Sequence, residues 1–161
     1  MACVTVYRNV KLVLCGPPGV GKTTVAERLR SRLRDEGYDF RVLHSDDFSR
    51  NTYAQMYEQV VAADPGTDWI LDGTFYRREL QDRFRELPDA NLVHLTASRE
   101  IALERNRTRE NSIDERGVYA MFGKFEPPES PDLTLDTGAS SVEEVVDALE
   151  RYVLTWDERE E

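Results

Sequence analysis

The run Gly16-Pro17-Pro18-Gly19-Val20-Gly21-Lys22-Thr23 matches the pattern G-x-x-x-x-G-K-[ST] at every fixed position. Background composition produces such a match by chance in roughly one chain in two hundred of this length. The types and spacing suit the gripping of a polyphosphate. Glycines let backbone N–H groups converge on phosphate oxygens with no Cβ in the way, and the N-terminus of a following helix adds partial positive charge. Lys22 would reach the β- and γ-phosphates, and the Thr23 hydroxyl would bind Mg2+. Gly16 to Thr23, with Thr24, are therefore expected to hold a nucleoside triphosphate, ATP being the expected cofactor together with Mg2+.

Three further groups separate phosphoryl transfer from nucleotide binding alone. Ser45-Asp46-Asp47-Phe48 follows an apolar stretch, where a carboxylate can accept a hydroxyl proton or hold a magnesium water. Asp46 is the preferred candidate, and the competing reading is a helix N-cap. Asp72, at the end of Trp69-Ile70-Leu71, stands where an acid approaches Mg2+; a plain Asp-Gly turn competes. Arg105 and Arg109 are four apart in Arg105-Asn106-Arg107-Thr108-Arg109, so both project from one helix face if the helix persists that far. Two guanidiniums there would close over the transferring phosphoryl as part of a lid at about residues 107–116. The alternative is a solvated arginine face pairing with Glu100, Glu104 or Glu110.

Positioning these groups requires alternating elements. Val10 to Cys15, Phe40 to His44, Trp69 to Leu71, Asn91 to Thr96 and Leu133 to Asp136 read as strands. Helices are expected from Lys22 to about Glu36, Ser49 to Ala63, Arg77 to Leu87, Ser98 to about Arg107 and Ile113 to about Phe125. A last helix opens at Ser141, with Val142, Val145, Val146, Leu149, Tyr152, Val153 and Trp156 on one stripe. Ser112 with Glu115, and Ser141 with Glu144, have capping-box spacing. Such alternation calls for a parallel sheet covered on both faces. Tyr53, Met56 and Tyr57 could wall a substrate, but at helical spacing they read more simply as core.

The 161 residues suit one domain, with a core at about 10–156. The formal charge is −10, and 18 of 21 cations are arginine. Two explanations stay open, a surface adapted to concentrated salt and a GC-rich genome. The acidic balance disfavours a general nucleic-acid binder, although a local basic patch is compatible with it. No apolar run approaches the ~18 residues of a membrane span, so a cytoplasmic, soluble protein is expected. Cys15 reads as a buried, inert thiol, and His44 and His94 as packed or hydrogen-bonded side chains.

On these residues the chain resembles the small P-loop kinases of the adenylylsulfate kinase-like group, over roughly Lys11 to Trp156. Phe125 to Leu133, continuing to Asp136-Thr137, is similar to the C-terminal stretch of adenylylsulfate kinases, where a strand and its loop flank the adenine. Asp46-Asp47, Arg105-Asn106 and Arg109 resemble the kinase domain of phage polynucleotide kinase. That likeness implies Asp46 as general base and the two arginines on nucleotide and transferring phosphate. Leu71-Asp72-Gly73-Thr74-Phe75-Tyr76-Arg77 resembles the seryl-tRNA kinases.

The resemblance implies a three-layer, doubly wound α/β domain of the P-loop NTPase class, with a five-stranded parallel sheet ordered 2-3-1-4-5. It implies an ATP-dependent kinase in which Lys22, Asp46, Arg105 and Arg109 are catalytic and Thr23, Asp46 and Asp72 attend the metal. The acceptor is expected to be a hydroxyl on a small metabolite or nucleotide, adenylylsulfate first. Polynucleotide 5′-ends or seryl-tRNA come next, and a nucleotide-gated switch without an acceptor is the competing class. The stretch from Phe48 to Asp68 lacks the substrate-adenine pattern of true adenylylsulfate kinases.

Overall fold

A computed structural model describes residues 10–108 and 114–155. Five strands are β1 (Lys11–Cys15), β2 (Phe40–His44), β3 (Asp68–Gly73), β4 (Ala90–Thr96) and β5 (Leu133–Asp136). Helices α1 (Lys22–Asp35), α2 (Thr52–Ala62), α3 (Arg78–Arg85), α4 (Arg99–Thr108), α5 (Glu115–Lys124) and α6 (Val142–Leu154) connect and cover them. The sheet runs β2-β3-β1-β4-β5, and every pairing is parallel. This is the predicted order, with Asp72 on the strand beside the one that feeds the glycine-bearing loop from Gly16 to Gly21.

Alternation along β1 divides the core. Leu12 and Leu14 point into a cluster with Val25, Leu29, Val146 and Leu149, under α1 and α6. Val13 and Cys15 point into the other, with Met56, Phe75 and Phe84, under α2 and α3. A period of two in a fully buried strand, with helices on both faces, is the three-layer arrangement that the sequence implied. Met56 is fully buried, and Tyr53 and Tyr57 pack on Phe84 at ring separations of 6.4 and 5.5 Å. The core reading of that stripe therefore holds.

Local chemistry fixes the boundaries. Helix α6 begins with a complete capping box: the Ser141 side chain accepts from the Glu144 N–H, and the Glu144 carboxylate accepts from the Ser141 N–H. Ser98 caps α4 by accepting from the Ile101 N–H at 3.2 Å. Two expected starts differ. Helix α5 opens at Glu115 behind Asp114, whose carboxylate accepts from the Arg116 N–H at 3.1 Å; Ser112 and Ile113 lie outside the described residues, as does Trp156. Helix α2 opens at Thr52 and not Ser49, because Ser45–Asp47 form a separate 3₁₀ turn and Asn51 takes a left-handed φ of 47° before the helix.

A proline-bearing connector leads from α5 to β5, and α3 secures it. Arg78 donates to the Pro127 carbonyl at 3.2 Å, Arg85 to the carbonyls of Glu129 and Ser130 at 2.9 Å each, and Gln81 to Glu126 at 2.8 Å. On the opposite face Arg32 of α1 pairs with Glu143, Asp147 and Glu150 of α6. Among the described residues no helix is long and apolar enough to cross a membrane.

Leu14 is fully buried at the centre of the sheet, beside Asp72 on one flank and Val93 on the other. Leu14→Ala is expected to cost about 2–5 kcal/mol through lost transfer and a residual cavity. Urea unfolding should read this as a lower midpoint at unchanged slope.

Candidate functional site

The turn after β1 gives each glycine a separate task. A Cβ on Gly16 would stand 2.3 Å from the Leu95 carbonyl oxygen, so this glycine lets the loop leave the sheet beside β4. Gly19 has φ of +83°, and a Cβ there would meet the Ala102 carbonyl oxygen of α4 at 2.7 Å. Lys22 Nζ donates to the Pro17 carbonyl at 3.0 Å, drawing the amine back along the loop. Gly16 and Pro17 thus frame the loop, while Pro18 to Thr24 line a cleft of about 670 Å³.

One flank of that cleft comes from the β4–β5 side. Arg105, Thr108, Thr137 and Val142 line it. The Arg105 guanidinium donates to the Val20 carbonyl at 3.3 Å, to the Thr137 carbonyl at 2.7 Å and to the Thr137 hydroxyl at 3.0 Å. The Thr137 hydroxyl in turn donates to the Val20 carbonyl at 2.7 Å. Arg105 stands inside α4, lines the cleft and braces the loop against the turn after β5. Arg109 lies outside the described residues, as does the middle of the expected lid, residues 109–113. Thr137, quoted in the sequence only as the end of a resembling stretch, is a central contact here.

The β2–β3 side supplies the other flank, Ser45, Asp46, Asp72 and Thr74. Asp46 sits in the 3₁₀ turn, and the N-cap position of α2 is Asn51. Neither Asp46 nor Asp47 therefore caps that helix; Asp46 lines the cleft and Asp47 is exposed.

Asp72 is 3% exposed at the end of β3. A buried carboxylate needs hydrogen-bond partners, and its Oδ2 accepts from the Thr23 hydroxyl at 2.9 Å. The same oxygen lies 2.7 Å from His44 Nδ1, and His44 Nε2 lies 2.6 Å from a Glu27 carboxylate oxygen. Both ring nitrogens face acceptors, so both must donate. Accordingly the imidazole is pushed up to about 9, chiefly by its bond to Asp72 and against the opposing effect of burial. The Asp72–His44–Glu27 chain was not foreseen; its signal was a histidine in strand register with an acid, and Glu27 one helical turn beyond Thr23.

Cys15 lies under this floor, fully buried, with its thiol donating to the Thr74 carbonyl at 3.4 Å. Burial pushes the thiol up to about 12, which removes it as a nucleophile. His94 stacks on Phe125 at 5.6 Å, and burial lowers its pKa. Among the described residues no three His, Cys, Asp or Glu side chains converge as a metal cage. The Thr23 hydroxyl and Asp72 carboxylate are instead a partial set of hard oxygens, the kind that Mg2+ completes with phosphates and water.

A glycine-framed turn between a central parallel strand and a helix, with an acid ending the neighbouring strand, defines a P-loop nucleotide-binding domain. The chain belongs to the family described as AAA domain, whose model matches residues 12–128. It is 26% identical over 176 aligned positions to a probable adenylyl-sulfate kinase of Aeropyrum pernix, covering 89% of this chain and 92% of that one. In fold it matches the Mycobacterium tuberculosis APS kinase CysC, crystallised with AMPPNP and APS, at a TM-score of 0.66 and 21% identity, covering 89% and 98% of the two chains. A gluconokinase from Sinorhizobium meliloti 1021 matches at 0.69 and 15%, covering 91% and 96%. The fold is that of the P-loop kinases.

Gly19→Ala is expected to strain a left-handed position and to press a methyl group onto the α4 backbone. ATP affinity should fall at least roughly tenfold, about 1.4 kcal/mol, as measured by calorimetry. Affinity equal to that of the unaltered protein would show that the loop does not hold phosphate in this shape.

Proposed function

We propose that the chain is a Mg2+-dependent kinase that transfers the γ-phosphoryl group of ATP to a hydroxyl of a small metabolite or nucleotide. The supporting observation is the single cleft that runs from the phosphate-binding loop to Asp46, across the hydrogen-bonded Thr23–Asp72 pair. An isolated nucleotide pocket has no use for a second carboxylate beyond the metal oxygens. A phosphoryl acceptor does, because its hydroxyl must be oriented and its proton received.

In this reading the backbone N–H groups from Gly19 to Thr23 and the Lys22 amine hold the β- and γ-phosphates. Arg105 fixes the loop against Thr137, and the turn after β5 flanks the base. Bound Mg2+ would be held by Thr23, with Asp72 and Asp46 close by, and would neutralise charge on the phosphate oxygens. Asp46 receives the acceptor's proton. Arg109 is assigned to the transferring phosphate. Most of the rate then comes from alignment and preset charge, since phosphoryl transfer asks for little covalent chemistry from the protein. The likeness to the probable adenylyl-sulfate kinase of Aeropyrum pernix makes adenylylsulfate the first acceptor to test.

A coupled assay of ATP consumption over adenylylsulfate, nucleosides, polyols, a 5′-hydroxyl oligonucleotide and seryl-tRNA should show stimulation by one acceptor class, adenylylsulfate first. Asp46→Asn should lower kcat about 10²- to 10⁴-fold, far more than it lowers ATP affinity. Turnover that no acceptor stimulates, and that Asp46→Asn leaves intact, would instead identify a nucleotide-gated switch.

A further inference from the structure

Beside the phosphate-binding loop a closed ring of contacts ties two strands to one helix. Parallel register pairs His44 of β2 with Asp72 of β3, so their side chains leave the sheet on the same face. Asp72 Oδ2 takes hydrogen bonds from Thr23 at 2.9 Å and from His44 at 2.7 Å. His44 reaches Glu27 at 2.6 Å with its other nitrogen. Glu27 and Thr23 are both in α1, four residues apart and on one face. The His44 side chain is 16% exposed and that of Asp72 4%, whereas Glu27 is 49% exposed. The ring therefore runs from the buried metal oxygens out to solvent.

We propose that His44 is a positioning residue for the metal oxygens: anchored by Glu27, it fixes the orientation in which Asp72 meets the Thr23 hydroxyl. A carboxylate at a strand end can rotate about χ2, and that torsion is broad. One hydrogen bond from Thr23 leaves the rotation weakly determined; a second, to the same oxygen from a ring itself fixed at its far nitrogen, removes it. Partners that orient ligating carboxylates in this way typically change metal affinity 10- to 100-fold when lost. His44 touches neither nucleotide nor acceptor in this role, so its removal acts through Asp72. The inference rests on the assignment of Thr23 and Asp72 to the metal and is independent of the acceptor's identity.

The test uses AMPPNP, which cannot transfer its γ-phosphoryl group, with calorimetry at graded Mg2+ and in EDTA. His44→Leu keeps bulk without a donor, and should raise the Mg2+ concentration for half-maximal AMPPNP uptake by about tenfold or more, with affinity in EDTA unchanged. His44→Asn retains an N–H at the Nδ1 position and should restore the midpoint to within about threefold of the original, a smaller change than outer partners usually cause. Glu27→Gln, at an exposed site where folding is not at risk, should shift the midpoint in the same direction by less. An unmoved midpoint in His44→Leu, equal losses in Mg2+ and EDTA, or an Asn variant as poor as Leu would each overturn the proposal. Should His44→Leu not fold, an unmoved midpoint in Glu27→Gln overturns it in the same way. AMPPNP uptake by the unaltered protein that needs no Mg2+ would overturn the metal assignment, and this inference with it. A Mg2+-dependent uptake with no acceptor found would sink only the kinase reading.

Discussion

The buried carboxylate of Asp72 is the constraint on which the site is built. An ionised group almost without solvent contact at the end of a central strand is costly unless hydrogen bonds satisfy it. Here they come from α1 through Thr23 and from β2 through His44. Satisfying the charge therefore sets the phosphate-binding helix and the neighbouring strand relative to each other. The same bonds leave a hydroxyl and a carboxylate oxygen side by side in the lining of the cleft. What stabilises the fold at this point also sets the pair of hard oxygens on which the proposed metal site depends.

The second organising contact is on the other flank. Arg105 and Thr137 converge on the carbonyl of Val20, a loop residue whose side chain is fully buried. The loop is thus held from below by core packing, from the sheet side by the tight passage of Gly16 past Leu95, and from above by an arginine. Its N–H groups are oriented before any ligand arrives. Preset donors cost little reorganisation at the moment of binding or reaction, which is where much of the advantage of such loops lies.

Much of this was legible in the residues. The strands were identified by short apolar runs ended by turn signals, and the order of the sheet followed from the family resemblance. The loop motif was recognised from its spacing, and the apolar triplet before Asp72 marked the strand that ends there, next to β1. The errors have physical causes. Helix α2 starts late because the acids after β2 form a 3₁₀ turn, and Ser49, Asn51 and Thr52 offer several equivalent starts. Helix α5 takes Asp114 as its cap, one of several polar residues close enough in sequence to serve. The bonds of Arg105 to Val20 and Thr137 were not foreseen, because spacing reveals the helical face of a side chain but not the carbonyls it meets. The Asp72–His44–Glu27 chain joins three elements: strand register aligns His44 with Asp72, and the packing of α1 beside β2 brings Glu27 to the ring.

The proline-bearing connector ahead of β5 bears on how the molecule behaves in company. That strand closes one side of the sheet with only four residues, and the chain reaches it through Pro127, Pro128 and Pro131 under the grip of Arg78 and Arg85. A brief border strand approached through residues that cannot donate from the backbone offers little template for a foreign strand to extend. The margin of the sheet is guarded against runaway β-stacking by the same segment that leads, through β5, to Thr137 in the wall of the cleft.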